Sequence, residues 1–171
     1  MTTAVLLGMS LAFEPKEAGI MSRSPREPDR PILTGDLIRR ILLVAMVMLA
    51  GGFGLFRWQM WKGEDLATAR TVVVNIFVMI ELVYLFRCRS FTQTIYQIGL
   101  FSNPWAVGGA IAMILAQMLL TYSPTMNHMF HTAPIDLVAW FEVILIAILA
   151  YLVVGADRWV VRRRRDKASA E

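Results

Sequence analysis

At 171 residues, 57% of them apolar and only 18% charged, the chain is too hydrophobic for an ordinary soluble domain of its size. Its formal net charge of +4 is gathered in particular segments, which points to membrane topology and away from a nucleic-acid-binding surface. A single cysteine, Cys88, excludes an internal disulfide and any multi-cysteine metal site; flanked by Arg87 and Arg89 at a predicted membrane edge, it reads as an inert thiol ahead of a lipidation site.

Residues 1–13, MTTAVLLGMSLAF, have neither the basic n-region nor the small-residue cleavage site of a secretory signal. As a helix they reach only about 20 Å against roughly 30 Å of hydrocarbon, so they are expected to be the end of a truncated transmembrane helix, and the chain reads as a fragment. Residues 14–40 set Pro15, Pro25, Pro28 and Pro31 among charges of both signs. That composition predicts a cytoplasmic Pro/Arg-rich loop, a plain linker by default and a semi-rigid strap against a cytoplasmic domain as the alternative.

The first complete span is predicted over residues 41–58, with Asp36 as N-cap and Gly51, Gly52 and Gly54 allowing another helix to approach closely. A second, over 71–86, contains Glu81. The third begins near Trp105, with Pro104 suited to its first turn, and ends near Thr121. The fourth covers 137–154 behind Asp136, and residues 155–171 form a basic tail. Trp58, Trp61, Trp105, Trp140 and Trp159 fall near predicted span ends, as interfacial anchors do. The expected fold class is an all-α membrane protein, a four-helix transmembrane bundle preceded by a partial helix.

Basic residues orient these spans. Of the 17 lysines and arginines, only Arg57, Lys62 and Arg70 fall on one predicted side. The positive-inside rule makes the other side cytoplasmic, the C-terminus included. The run Arg162 to Arg165 reads as a topology anchor beside anionic headgroups.

Other chemistry is sparse. No phosphate-cradling glycine loop is present. His128 and His131 share a helical spacing but have no obvious third ligand, and no span holds a histidine for haem. The eleven methionines are scattered as space-fillers.

Glu81 stands apart, because an acid within a span is costly and marks a functional site by default. Arg87 lies about 9 Å further along the helix and roughly 240° around it, which makes it no obvious direct partner. Tyr84, at i+3, is nearer and can donate a hydrogen bond without neutralising charge. Glu81 is then either protonated or paired with a mobile cation. A protonated packing residue bonded to another helix is the competing assignment. Asn75, Gln117 and Glu142 form a second polar set, each about 6–9 Å inside the predicted outer boundary on three different helices. They are expected to meet in an outer hydrogen-bonded cluster, with an ion exit path, or a snorkelling Glu142, as alternatives.

The order of motifs resembles the C-terminal membrane region of P-type cation-transporting ATPases. LAFEPKEAGIMSRSPR resembles the exit from that family's sixth membrane segment, and ATART at 67–71 the beginning of its eighth. FRCRS, FSNPW, LTYSP and DRWVVRRRR follow in family order, so the similarity covers nearly the whole chain. Residues 41–154 would then be the seventh to tenth segments of a transport domain. The resemblance implies a parent pump that couples ATP hydrolysis, with Mg, to cation movement through an aspartyl-phosphate. The Asp-Lys-Thr-Gly phosphorylation motif is absent from these 171 residues, so no cofactor and no catalysis are expected of the chain alone. The implied partners are membrane lipids, the remaining pump domains and the transported cation, in the plasma membrane, with no nucleic acid. In calcium pumps of the family a Glu of the eighth segment helps coordinate ions, and MIELV puts Glu81 at that position. The pattern departs at Ala4, where calcium and sodium/potassium pumps place an Asp after the Thr matched by Thr3. Ion identity is thereby left open. A stand-alone four-helix accessory subunit is the main alternative; a small secondary transporter lacks the visible repeat that such proteins carry.

Overall fold

The computed structural model describes residues 2–14, 33–88 and 103–168. Residues 15–32 of the loop expected at 14–40 lie outside the described residues, as does Arg89, while residues 35–40 are helical and belong to the first long helix. Six helices are present among those described: α1 (Thr2–Ala12), α2 (Gly35–Lys62), α3 (Leu66–Cys88), α4 (Pro104–Tyr122), α5 (Pro124–Phe130) and α6 (Leu137–Ala168). Four of them, α2, α3, α4 and α6, are long and apolar enough to cross a membrane. The protein is an all-α integral membrane protein, and it carries an extensive exposed apolar surface, with Leu42, Met46, Leu49 and Phe53 along α2 among its members.

The helices outrun the predicted spans, because hydropathy marks only the part that sits in hydrocarbon. Helix α2 has 28 residues, enough for roughly 42 Å, so it carries its polar ends into both interfaces. Asp36 is not its N-cap. Thr34 occupies that position with extended backbone and makes no side-chain cap, while Asp36 sits in the first turn, where its charge favours the helix dipole. At the other end Gly63 turns left-handed at φ 86° and its N–H closes on the carbonyls of Gln59 and Met60. Asp65 then starts α3 by accepting from the Thr68 amide at 2.8 Å, and the Thr68 bonds hold its carboxyl below the ordinary carboxylate range. Asp136 caps α6 as expected, accepting from Ala139 N at 2.8 Å. The short α5, which hydropathy did not signal, ends at His131 in left-handed backbone at φ 52°.

Helix α3 is the centre of the bundle and packs against α1, α2, α4 and α6. Half of its apolar window (50%) is buried, against 11–28% for the other three spans. One face, with Val72, Ile76 and Ile80, packs with Leu55 of α2 and with Val143, Ala147 and Ala150 of α6. A second face, with Val78, Leu82 and Leu85, packs with Leu7 of α1 and with Ala110 and Met113 of α4. Gly52 and Gly51 serve close packing as expected: an added Cβ would lie 2.6 Å from the Phe77 ring and 3.1 Å from Ile146 respectively. Gly54 faces open space instead.

Two polar ties show how two of the long helices run. Arg39, near the start of α2, donates to both carboxylate oxygens of Asp157 on α6, Nη2 to Oδ2 at 3.0 Å. At the opposite end of the same helix pair, Lys62 lies 3.4 Å from Glu142. Helices α2 and α6 are thus antiparallel and joined at both ends.

Candidate functional site

Glu81 lies between the two buried faces of α3. On a helix of 3.6 residues per turn it shares a side with Val74 and Phe77. Phe77 packs on Gly52 of α2, while Val78 and Leu82 pack toward Leu7 of α1. Glu81 therefore occupies the seam of α3 that runs between α1 and α2. Two turns earlier at nearly the same azimuth, Val74 is 36% exposed.

The Glu81 side chain is half-buried, yet its Oε2 is fully buried and makes no hydrogen bond. Among the described residues it is the single buried side-chain polar atom in that condition. Most buried polar atoms in folded proteins are paired, because an unpaired one carries its full desolvation cost. A carboxylate oxygen is the most demanding case: its charge must be balanced by a proton or a cation. As a hard oxygen donor it suits alkali and alkaline-earth cations.

The expected outer cluster divides in two. Asn75 and Gln117 do meet: Gln117 Nε2 donates to Asn75 Oδ1 at 3.1 Å. Asn75 Nδ2 donates in turn to Thr121 Oγ1 at 3.2 Å and to the Thr71 carbonyl at 2.9 Å. Thr71 Oγ1 then accepts from the Ala133 amide at 3.0 Å, so the network ties α3, α4 and the segment before α6 together. All four side chains are buried.

Glu142 stands elsewhere. It faces α2, where Trp58 Nε1 donates to its Oε1 at 2.9 Å and Gln59 Nε2 to its Oε2 at 2.6 Å, with Lys62 beside them. Position along a helix does not give a side chain's direction, and α6 packs on both α2 and α3. Gln59, 1% exposed, was not singled out from the sequence, where it lies between Arg57 and Lys62 near the polar end of a span.

A third polar group also escaped the sequence. Asn103, completely buried, caps α4 through Oδ1, which accepts from Trp105 N at 2.9 Å and Ala106 N at 3.1 Å. Its Nδ2 donates to the Ser10 carbonyl at 3.2 Å and to Glu14 Oε2 at 2.7 Å, at the far end of α1. The Asn-Pro pair was the available clue, since Asn favours the N-cap and Pro the position after it. His128 lies in the last turn of α5 and His131 at its C-cap, and no group of three His, Cys, Asp or Glu side chains gathers among the described residues.

Comparison with known proteins converges on one family. The family model for "Cation transporting ATPase, C-terminus" matches residues 1–160. The chain belongs to that family. It is 48% identical over 164 residues to the "Probable cation-transporting ATPase F" of Mycobacterium tuberculosis, a match covering 96% of this chain and 18% of the relative. "Cation-transporting ATPase pma1" of Synechocystis is 35% identical over 82% of the chain and 16% of its own length. "Calcium-transporting ATPase type 2C member 2" of mouse is 31% identical over 72% of the chain and 13% of its own. The chain thus corresponds to the C-terminal membrane region of P-type ATPases and spans less than a fifth of the curated relatives it matches.

Proposed function

We propose that this cation-transporting ATPase C-terminal region serves a pump that moves cations across a membrane at the expense of ATP, and that Glu81 takes up and releases the cation, or a proton exchanged for it. The observation that carries the proposal is the unpaired, buried Oε2 of Glu81 on α3. A packing acid would have its hydrogen bonds met from neighbouring helices, as Asn75, Gln117 and Glu142 do. The relatives' names supply the cargo class, cations, with calcium named for the mouse protein.

ATP and Mg would bind to parts of the pump that precede the membrane region, which are its covalent partners. The plasma membrane is the proposed location, with the Arg39–Asp157 end of the bundle and the C-terminus in the cytoplasm, on the side where basic residues concentrate.

The deciding experiment replaces Glu81 by Gln in the complete pump, which preserves volume and removes the charge. Normal membrane insertion is expected, with the half-activating concentration of Ca2+ for ATP hydrolysis raised roughly tenfold or more, the scale of a lost charged ligand. Unchanged cation dependence and unchanged pH dependence would make Glu81 a packing residue.

A further inference from the structure

Asn103 joins two helices that are distant in sequence with one side chain. Both ends of its amide are occupied: Oδ1 by the first turn of α4, and Nδ2 by the Ser10 carbonyl and the Glu14 carboxylate of α1. Carbonyls in the last turn of a helix lack intrahelical donors, and the buried Asn103 amide supplies one to Ser10. The Glu14 contact is charge-assisted and short at 2.7 Å.

The surroundings fix the same junction in register. Phe13 stacks on Trp105 with ring centroids 5.0 Å apart. Gly109 of α4 lies against Ser10, where an added Cβ would come within 3.2 Å of the serine Cβ. One turn earlier, Leu7 packs with Val78, Leu82 and Leu85 of α3, the face that borders Glu81 on one side. The end of α1 and the residues just after it, through Glu14, are therefore clasped to α4, while Leu7 packs on the α3 face that borders Glu81.

We propose that Asn103 is a positioning residue for the Glu81 site: by holding Glu14 and the end of α1 against α4, it sets where α1 lies beside Glu81 and so tunes cation affinity. The proposal rests on the assignment of Glu81 to cation handling. Asn103 touches no cation. It acts through α1, whose shift would widen or offset the seam without removing any ligand. Its contribution should consequently appear in affinity and leave the maximal rate in place.

The test uses the complete pump in membranes, with Ca2+, Mn2+, Na+ and K+ each titrated alone as activators of ATP hydrolysis. Asn103→Ser keeps an N-cap hydroxyl for α4 but cannot reach Glu14. Glu14→Ala removes the opposite half of the contact and leaves the cap alone, while Glu14→Gln keeps an acceptor oxygen for Asn103. Asn103→Ser and Glu14→Ala should each raise the half-activating concentration of the activating cation roughly threefold to tenfold, the range for one lost hydrogen bond to a charged group. Maximal rate should stay near the parent's, Glu14→Gln should behave as the parent, and the double variant should shift no further than the larger single one, because both changes break one contact.

Unchanged affinity in variants that insert normally overturns the proposal, and so do additive shifts in the double variant. If Asn103→Ser fails to accumulate, Glu14→Ala decides alone, and a silent Glu14→Ala then overturns it. Glu81→Gln is run in parallel. A shift there with none in the other variants sinks only the role of Asn103. No shift in Glu81→Gln, or a parent that none of the four cations activates, sinks the assignment of Glu81 itself.

Discussion

Phe77 of α3 lies over Gly52 of α2 so closely that a methyl group added at Gly52 would sit 2.6 Å from the ring. This contact sets the spacing of the two helices one turn before Glu81. Gly52→Ala forces the ring or the helix to move, and overpacking of this kind typically costs roughly 1–3 kcal/mol. Thermal unfolding in detergent should show the loss. Gly54→Ala, two residues away, meets nothing within 4 Å and should be neutral to about 0.5 kcal/mol. Equal melting of the two variants would mean that the α2–α3 approach is looser than the structure has it.

The buried amide network calls for a different test. Asn75→Leu alone strands the Gln117 amide and the Thr121 hydroxyl, which lose their partner in an apolar setting. That should destabilise by roughly 1–3 kcal/mol, the cost of unsatisfied buried polar groups. Adding Gln117→Leu removes one of the stranded groups, so the double variant should melt higher than the sum of the single effects requires. Strict additivity would show that the two amides do not interact.

How much of this was legible in the sequence follows from what one dimension encodes. The four spans and their order follow from hydropathy, and Asp136 as a cap from residues near in sequence. Helix α5, by contrast, gave no hydropathy signal, and small residues at 51 and 52 foretold close packing without naming Ile146 and Phe77 as the neighbours. Glu142 shows the limit. Its depth follows from counting 1.5 Å per residue, but whether it meets Gln117 or Gln59 depends on how α6 is rotated and which helices flank it. Asn103 was obscure for a related reason: its partners, Ser10 and Glu14, are about ninety residues away, with two spans between. Glu81 was conspicuous because a charge in an apolar run needs no partner to be noticed. What the sequence lacked was the state of its oxygens and the seam it faces.

Glu142 itself carries a prediction. Its carboxylate collects donors from Trp58, Gln59 and Lys62, but these are unequal. Gln59 is buried and bonded at 2.6 Å, whereas Lys62 stands at 3.4 Å with a side chain 26% exposed. Glu142→Ala should destabilise by roughly 1–3 kcal/mol through the stranded Gln59 donor, and the emission of Trp58, which loses its Glu142 bond, should change. Lys62→Ala should cost under about 1 kcal/mol, the usual worth of a partly exposed ion pair. A larger effect at Lys62 than at Glu142 would reverse this ranking.

Sidedness can be tested against the two ends of the α2–α6 pair. The Arg39–Asp157 contact marks one end and the Lys62–Glu142 contact the other, so the two must lie on opposite faces of the membrane. Basic residues then favour one of the two orientations: in the topology expected from the sequence, all but Arg57, Lys62 and Arg70 of the 17 fall on the side of Arg39. Asymmetry of that size in short loops orients membrane helices with the basic side in the cytoplasm. Single cysteines at positions 26, 62 and 128, each in a Cys88→Ser background, should separate accordingly. In intact cells an impermeant thiol reagent is expected to label positions 62 and 128 and to spare position 26 until the membrane is opened. Labelling of position 26 but not 62 in sealed cells would invert the bundle, and with it the direction in which the Glu81 seam would load its cation.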